Sequence, residues 1–495
     1  MDKKKVIIIG AGISGLSAGC YLQMNGYETE IFEQHNLPGG LCTSWKKKGY
    51  TFDGCIHWLV GTKETNSLNK LWKELDVLSE VEIVDHEEFY AVYNNGFDFT
   101  FYNDSKKLEQ EMLKIAPEDK KQIRKFIKTI KRLKKASLPE RKPRELYSLK
   151  DLFKMLIKWR SLILFKKYMS MTIEEYLERF ENEKLKEYLS IFFPSDNFSA
   201  LAVLMTYAWL QSEEAGYPIG GSLAFAKRLA NKYQQLGGKI NYNSKVNKII
   251  VEQKKASGIQ LTNNEIHNGD IIISAADGYY THYHLLEGKY LTPEIDEIYD
   301  QREIFESLVI VSMGINYQFK GEPHSISYIP QKDIQIDPET KLETSEILLY
   351  NFDPTLAPEG KTSVAIYFPT GNFNYWKNLR DHTPNEYQKE KKRLASIAKS
   401  ILEDVYPKIQ SKIEVVDVST PATFHRYTNN WKGSFEGWIP TPGFNSISKT
   451  LPGIKNFYHI GQWVEPGGGL PPAVYSGRMV TQSICLKDGK EFQIK

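Results

Sequence analysis

Three glycines at Gly10-x-Gly12-x-x-Gly15 follow the apolar run Val6-Ile7-Ile8-Ile9, and an acid, Glu33, closes the next apolar stretch. Glycines at this spacing bind rather than react. Gly10 permits a tight turn, Gly12 lets a pyrophosphate approach the backbone, and Gly15 lets a helix pack on the preceding strand. Phosphates then sit on free N–H groups at the helix N-terminus, where the dipole favours anions. Ser14 lies in the same turn, and Glu33, with Gln34 behind it, is placed to accept hydrogen bonds from a ribose. The elements required to position these residues are present. An apolar strand precedes the turn, the helix-like stretch Leu16 to Met24 follows it, and a second strand, Tyr27 to Phe32, leads into Glu33. The chain therefore binds a dinucleotide.

Two further segments bear on which dinucleotide. Pro38-Gly39-Gly40-Leu41 brings a second glycine pair close behind Glu33, able to run the backbone along a ligand already held there. Near the other end, Tyr458-His459-Ile460-Gly461 reads as a short strand closing on glycine. It precedes Gly467-Gly468-Gly469-Leu470-Pro471-Pro472-Ala473, a Gly/Pro loop opening a terminal helix. Backbone N–H groups there suit an electron-rich flavin edge or a ribitol phosphate.

Together these ends resemble the phytoene desaturase family of flavoproteins, which includes carotenoid isomerases and retinol saturases within the glutathione-reductase-like FAD fold. Middle segments fit the resemblance: Tyr217-Pro218-Ile219-Gly220-Gly221-Ser222, the strand around Val246, and Ile271 to Asp277. The resemblance implies that the backbone of Val246 contacts the adenine. Phe52-Asp53-Gly54-Cys55-Ile56-His57 is most similar to the saturase branch. Two positions depart from the pattern: Leu41 stands where many relatives carry arginine, and Cys55 where other small residues are common.

A chain of 495 residues can bury a large core and divides into two or three structural units. The formal net charge of +3 gives no sign of a nucleic-acid binder. Cys20, Cys42, Cys55 and Cys485 form no Cys-x-x-Cys pair and have no metal-ligand spacing with histidine, so no metal is expected. Ordinary buried thiols in a reducing compartment are expected; Cys42 and Cys55 facing each other as a redox pair near the flavin is the lesser alternative. The apolar run after Met1-Asp2-Lys3-Lys4 is too short for a signal peptide and ends in the functional glycines, which points to the cytoplasm.

The predicted fold class is α/β: a Rossmann-type FAD-binding domain, a mixed-sheet substrate domain, and a helical subdomain that can associate with a membrane. The predicted boundaries are 1–100, 213–290 and 441–495 for the FAD-binding parts, 101–212 for the helical subdomain and 291–440 for the substrate sheet. In the helical part, Ile123, Phe126, Ile127, Ile130 and Leu133 keep helical spacing against a run of Lys and Arg from Lys120 to Lys135. A linker-like Pro139 to Arg144 follows, then Leu152 to Lys167, apolar nearly all round and broken by cations. The basic region 120–167 suits an anionic membrane interface, on the inner face of a membrane, as well as it suits a solvated face beside a buried helix. In the substrate part, Ser307 to Tyr317 and Thr362 to Phe368 read as strands that roof a cavity. Asn385 to Leu402 reads as a helix begun by a Thr383–Glu386 capping box.

The resemblance implies an FAD-dependent oxidoreductase acting on carbon–carbon bonds of a hydrophobic polyene, a carotenoid- or retinoid-like compound, or a fatty lipid. Hydride transfer at flavin N5 would give desaturation, its reverse saturation, and a reduced flavin could shift or isomerise a double bond. The electron donor or acceptor is open. Proton-handling candidates are His57, Tyr427, Glu436 and Glu465, each near a segment expected to approach the flavin; packing roles weigh against the first two and surface or loop positions against the two acids. No Ser/His/Asp set stands out. A flavin amine oxidase, and a non-catalytic membrane-docking flavoprotein, remain as alternatives.

Overall fold

The run Lys5–Ile9 becomes strand β1, the centre of a five-stranded parallel sheet in the computed structural model, which describes residues 3–135, 142–148, 151, 165–193, 195–444 and 446–494. Across that sheet the order is Lys239–Asn241, β2 (Glu28–Phe32), β1, Ile271–Ser274 and Phe457–His459. Val6, Ile7 and Ile8 are wholly shielded, as expected of a parallel strand covered on both faces. Truncating one of them to alanine would cost about 2–5 kcal/mol.

Helix α1 (Ile13–Met24) follows β1 and is apolar around most of its circumference because elements cover it on several sides. The terminal helix Leu470–Lys487 packs along it closely enough that a methyl group on Gly477 would overlap the Ser17 hydroxyl. The chain's last helix is thereby pinned to its first.

A seven-stranded mixed sheet forms the second layer, ordered Ile413–Ser419, Ser307–Ile315, Thr362–Thr370, Ser345–Leu349, Ser325–Tyr328, Glu88–Tyr93, Phe97–Tyr102. Its two faces are read by strand alternation. Val309, Val311, Ile366 and Phe368 pack with Leu394 and Ile401 of the helix Pro384–Val405, whereas Leu308, Ile310 and Tyr367 line a cavity. The sheet does roof a cavity. Glu88–Tyr93 and most of Phe97–Tyr102 fall inside the segment 1–100 assigned to the nucleotide part, yet they belong to this sheet. Glu88–Tyr93 joins it through Ser325–Tyr328, more than two hundred residues on, and Phe97–Tyr102 follows as its hairpin partner, so local pattern could not assign them.

The helix Pro384–Val405 forms, but its capping box does not: no side chain caps Thr383, whose hydroxyl bonds back to the Leu379 carbonyl at 3.4 Å. Thr383 also ends the preceding helix, Phe373–His382, which holds it at φ −134°, ψ 64°, outside the extended conformation that a capping side chain needs.

In the helical part, Lys120–Leu133 buries Ile123, Phe126, Ile127, Ile130 and Leu133 in a cluster shared with Val203, Leu204 and Tyr207 of Ala200–Leu210. Its apolar stripe is used inside the protein and is not free for lipid; its cations face outward. Of the remaining basic region, 136–141, 149–150 and 152–164 lie outside the described residues, and with them most of the linker and the Leu152–Lys167 stretch. Among the described residues no helix is long and apolar enough to cross a membrane.

Candidate active site

The fingerprint turn forms as its glycines require. Gly10 has φ +97°, a conformation costly for any residue with a Cβ. A methyl group on Gly15 would overlap the Gly10 carbonyl oxygen, so the helix can start this close to the strand only with glycine there. Gly12 is different: a Cβ would meet nothing within 4 Å, because its face opens into a cavity. Gly39 N–H donates to the Ala11 carbonyl at 2.8 Å, laying the second glycine turn along the first. Gly40 and Leu41 continue along the same wall.

Glu33 is buried at the end of β2. Its Oε2 accepts from Ala11 N–H at 2.7 Å and its Oε1 from His35 N–H at 2.8 Å. Burial raises its pKa against those bonds. Each carboxylate oxygen keeps a second lone pair for a ribose hydroxyl. Gln34 and Val246 line the cavity nearby, and the Val246 carbonyl accepts from Tyr280 OH at 3.2 Å.

At the far side, Gly461 packs on Ser14 of α1, and its N–H donates to the Ser476 hydroxyl at 2.8 Å. Gly467, Gly468 and Gly469 all have positive φ, turning the chain sharply into the terminal helix. The N–H groups of Gly468, Gly469 and Leu470 find no acceptor among the described residues and lie on the cavity wall. Pro471 and Pro472 carry no N–H, so Pro472 shapes the helix start without donating, and Ala473 lines the wall beside it. Every predicted cofactor residue except Gly15 lines this one cavity; Gly15 acts through packing.

The cavity measures about 1940 Å³, roughly twice the upper end of an ordinary small-molecule pocket. It has room for a dinucleotide and a second ligand. Beyond the glycine loops it continues into a limb walled by Trp58, Ile191, Phe192, Phe193, Phe198, Ala202, Thr206, Trp209, Phe305 and Phe435.

His57 stands on the wall of this limb, its Nε2 2.9 Å from the Tyr367 hydroxyl. Burial, and secondly the nearby His324, lower its pKa to about 4, so the ring is neutral at pH 7. Its approach is fixed by Asp53, which accepts from Ser222 N–H at 2.6 Å, Ser222 Oγ at 2.5 Å and Cys55 N–H at 3.1 Å. Ser222 lies at the start of the helix Gly221–Gln235, where a carboxylate is favoured. Cys42 and Cys55 are free thiols on the cavity wall, and Cys42 Sγ donates to the Ser222 carbonyl at 3.4 Å.

Tyr427 is not with His57. Its backbone carbonyl accepts from Gln34 Nε2 at 2.5 Å and its ring meets the His35 ring edge-on at 4.9 Å, which seats it beside Glu33. Glu465 is not at the surface: it is buried in an ion pair with Lys449. Glu436, also expected at the surface or in a loop, lines the cavity against Gly468, and burial raises its pKa to about 7. Glu346, with its pKa likewise raised to about 7 by burial, accepts from the Ser325 and Ser327 hydroxyls and lines the cavity below the sheet. No spacing in the chain marks Tyr367 or Glu346; strand alternation could have turned Tyr367 inward once one neighbour's face was known.

Residues 13–485, which hold nearly all of these groups, match the family described as flavin containing amine oxidoreductase. The chain belongs to that family. Among curated relatives, a phytoene desaturase (neurosporene-forming) of Cereibacter sphaeroides is 25% identical over 507 residues, covering 97% of this chain and 94% of its own. A chloroplastic prolycopene isomerase of Daucus carota is 26% identical over 516 residues, covering 98% of this chain and 80% of its own. Among solved structures, an oxidoreductase from Methanosarcina mazei has a TM-score of 0.63 at 19% identity, over 97% of this chain and 100% of that one. Putrescine oxidase bound to putrescine has a TM-score of 0.63 at 14% identity, over 98% and 99%. Those two likenesses show the fold.

This member of the family is thus an FAD-dependent oxidoreductase, and its residues fit the cofactor. The open face of Gly12, the unengaged N–H groups of Gly468 to Leu470, and Glu33 lie on one continuous cavity with room for a dinucleotide.

Proposed function

We propose that this flavoenzyme acts on carbon–carbon bonds of a hydrophobic polyene or a related unsaturated lipid. The observation that carries the reading is the aromatic limb that continues the cofactor cavity past His57. Such a wall takes an extended apolar chain by area burial, at roughly 25 cal/mol per Å². The printed names of the relatives, phytoene desaturase and prolycopene isomerase, support the same substrate class. When bound, FAD supplies hydride acceptance or donation at N5. The protein's own residues orient the chain, exclude water and handle the accompanying proton. Three groups near the limb can do so: neutral His57, its partner Tyr367, and Glu436, which is poised close to neutrality.

Anaerobic mixing of the purified holoenzyme with carotenoid, retinoid and unsaturated fatty-acid panels tests this reading. Bleaching of the oxidised flavin by a polyene means desaturation. Reoxidation of dithionite-reduced flavin means saturation, and double-bond isomerisation with a persistently reduced flavin means isomerase activity. Turnover of amines with peroxide release, and no response to any polyene, would establish amine oxidation instead.

A peripheral contact with an anionic membrane, on its inner face, is part of the proposal. Lys121, Arg124, Lys125, Lys128, Lys131 and Arg132 project from Lys120–Leu133 while its apolar side is buried, so the contact is electrostatic. Flotation with anionic liposomes should weaken steeply with added salt. No flotation at low salt removes this part of the proposal.

A further inference from the structure

Beside His57 lies a second and much smaller cavity, about 10 Å³, lined by His57, Asp85, His86, Glu88, Asn103 and His324 among others. That volume is about one water molecule. His57 and Trp58 are on the wall of both cavities. Two of the small cavity's residues carry fully shielded polar atoms without a partner among the described residues, His86 Nε2 and Asn103 Oδ1. An orphaned buried polar atom costs about 1–3 kcal/mol, and two at one water-sized hole are accounted for by a water that bonds both. The His86 ring lies flat on His324, with centroids 3.5 Å apart and planes at 6°, and Phe352 closes its edge at 4.4 Å. His324 in turn stands 3.3 Å, Nδ1 to Oε1, from Glu88. Asp85 is exposed, so the cluster reaches from solvent to His57.

We propose that His86 is a proton-relay residue for the active site, joined to His57 through one water held in this small cavity and opening to solvent beside Asp85. The proposal rests on the reading above that a proton is exchanged in the aromatic limb. Two imidazoles stacked this closely cannot both carry charge, and burial also keeps His86 neutral. A neutral imidazole accepts at one nitrogen and donates at the other, which is what a relay needs. In the outward direction the Tyr367–His57 pair passes one proton to the bridging water as it receives one from the substrate side. The water gives one to His86 Nε2, and the other ring nitrogen of His86 releases one toward solvent. Every group gains a proton as it loses one, and no charge is left buried. A purely space-filling histidine accounts for the stacking but not for an unpartnered ring nitrogen beside a second orphan in a water-sized hole.

The test uses FAD-loaded full-length protein. A high-resolution crystal structure should show one ordered water within about 3.2 Å of both His86 Nε2 and Asn103 Oδ1; a dry cavity overturns the relay. His86→Leu should slow turnover of the responding polyene about tenfold or more with KM unchanged and a changed solvent deuterium isotope effect, and added imidazole should restore part of the rate. Unchanged rate and isotope effect overturn it. His86→Gln, which keeps shape and polarity, serves if the leucine variant misfolds, with the same loss expected. If the wild type turns over no polyene, the substrate reading fails by itself, and ¹⁵N NMR of labelled histidines then decides the relay. His57 ring signals should move in His86→Gln; unmoved signals overturn it.

Discussion

His57 Nε2 lies 2.9 Å from the Tyr367 hydroxyl, so two residues 310 positions apart meet on the wall of one cavity. His57 comes from the loop after the strand Tyr50–Asp53, and Tyr367 from the roof sheet. Tyr367→Phe removes the bond and leaves the ring in place. Turnover should fall by roughly ten- to a hundredfold while FAD affinity stays unchanged, read by stopped-flow flavin absorbance and cofactor titration.

Gly12 and Gly15 separate binding from folding. Gly12→Ala meets no protein atom within 4 Å, so the apoprotein should melt within a degree or two of wild type while FAD binds at least about tenfold more weakly. Gly15→Ala collides with the Gly10 carbonyl and should lower the apoprotein's melting temperature. Equal FAD affinity in Gly12→Ala and wild type would refute the assignment of the open face to the phosphates.

Glu33→Ala removes an acceptor that also ties Ala11 and His35. FAD affinity should drop by about 1.5–3 kcal/mol, the usual worth of a hydrogen bond to a charged group. Glu33→Gln should retain part of it, as measured by quenching of flavin fluorescence.

Glu436 makes stability depend on pH. Its folded-state pKa, about 7, stands above the ordinary value of 4.5 because of burial. Its contribution is therefore fully present below about pH 4.5 and lost as pH rises through 7. Apo Glu436→Gln, neutral throughout, should be more stable than wild type by about 1–3 kcal/mol at pH 8, and the gap should close by pH 4.5. Denaturant melts across that range check the sign; a gap independent of pH would contradict it.

Ala202 lines the aromatic limb away from the glycine loops. Ala202→Trp should fill the limb, abolish flavin response to long polyenes and leave the bound-flavin spectrum unchanged. An unaltered response would place the substrate elsewhere.

The cofactor end was legible in the chain because each device there is local. Gly10, Gly12 and Gly15 act over one turn, Glu33 closes the adjacent strand, and Gly467 to Gly469 act over another turn, so residue order alone carries them. The roof strands Ser307–Ile315 and Thr362–Thr370 were legible for a similar reason, being rich in β-branched and apolar residues over a short stretch. The hairpin Glu88–Tyr93 and Phe97–Tyr102 was not assigned to that sheet, because it joins through the pairing of Glu88–Tyr93 with the distant Ser325–Tyr328. The Thr383 cap failed because that residue also ends the preceding helix, which sets its backbone away from the N-cap conformation, and spacing cannot weigh that.

What the sequence by itself determined is a dinucleotide cradle and a family of chemistry, both written in glycine spacing and short-range order. Only the tertiary structure decided which side chains share the reaction chamber. It brought Tyr367 to His57 and Glu436 to Gly468, withdrew Tyr427 to the Glu33 end, and buried Glu465 against Lys449. Those meetings depend on how a roof sheet and a nucleotide domain dock across hundreds of residues. Burial, which moves the pKa values of His57 and Glu436 in opposite directions, exists only after that docking.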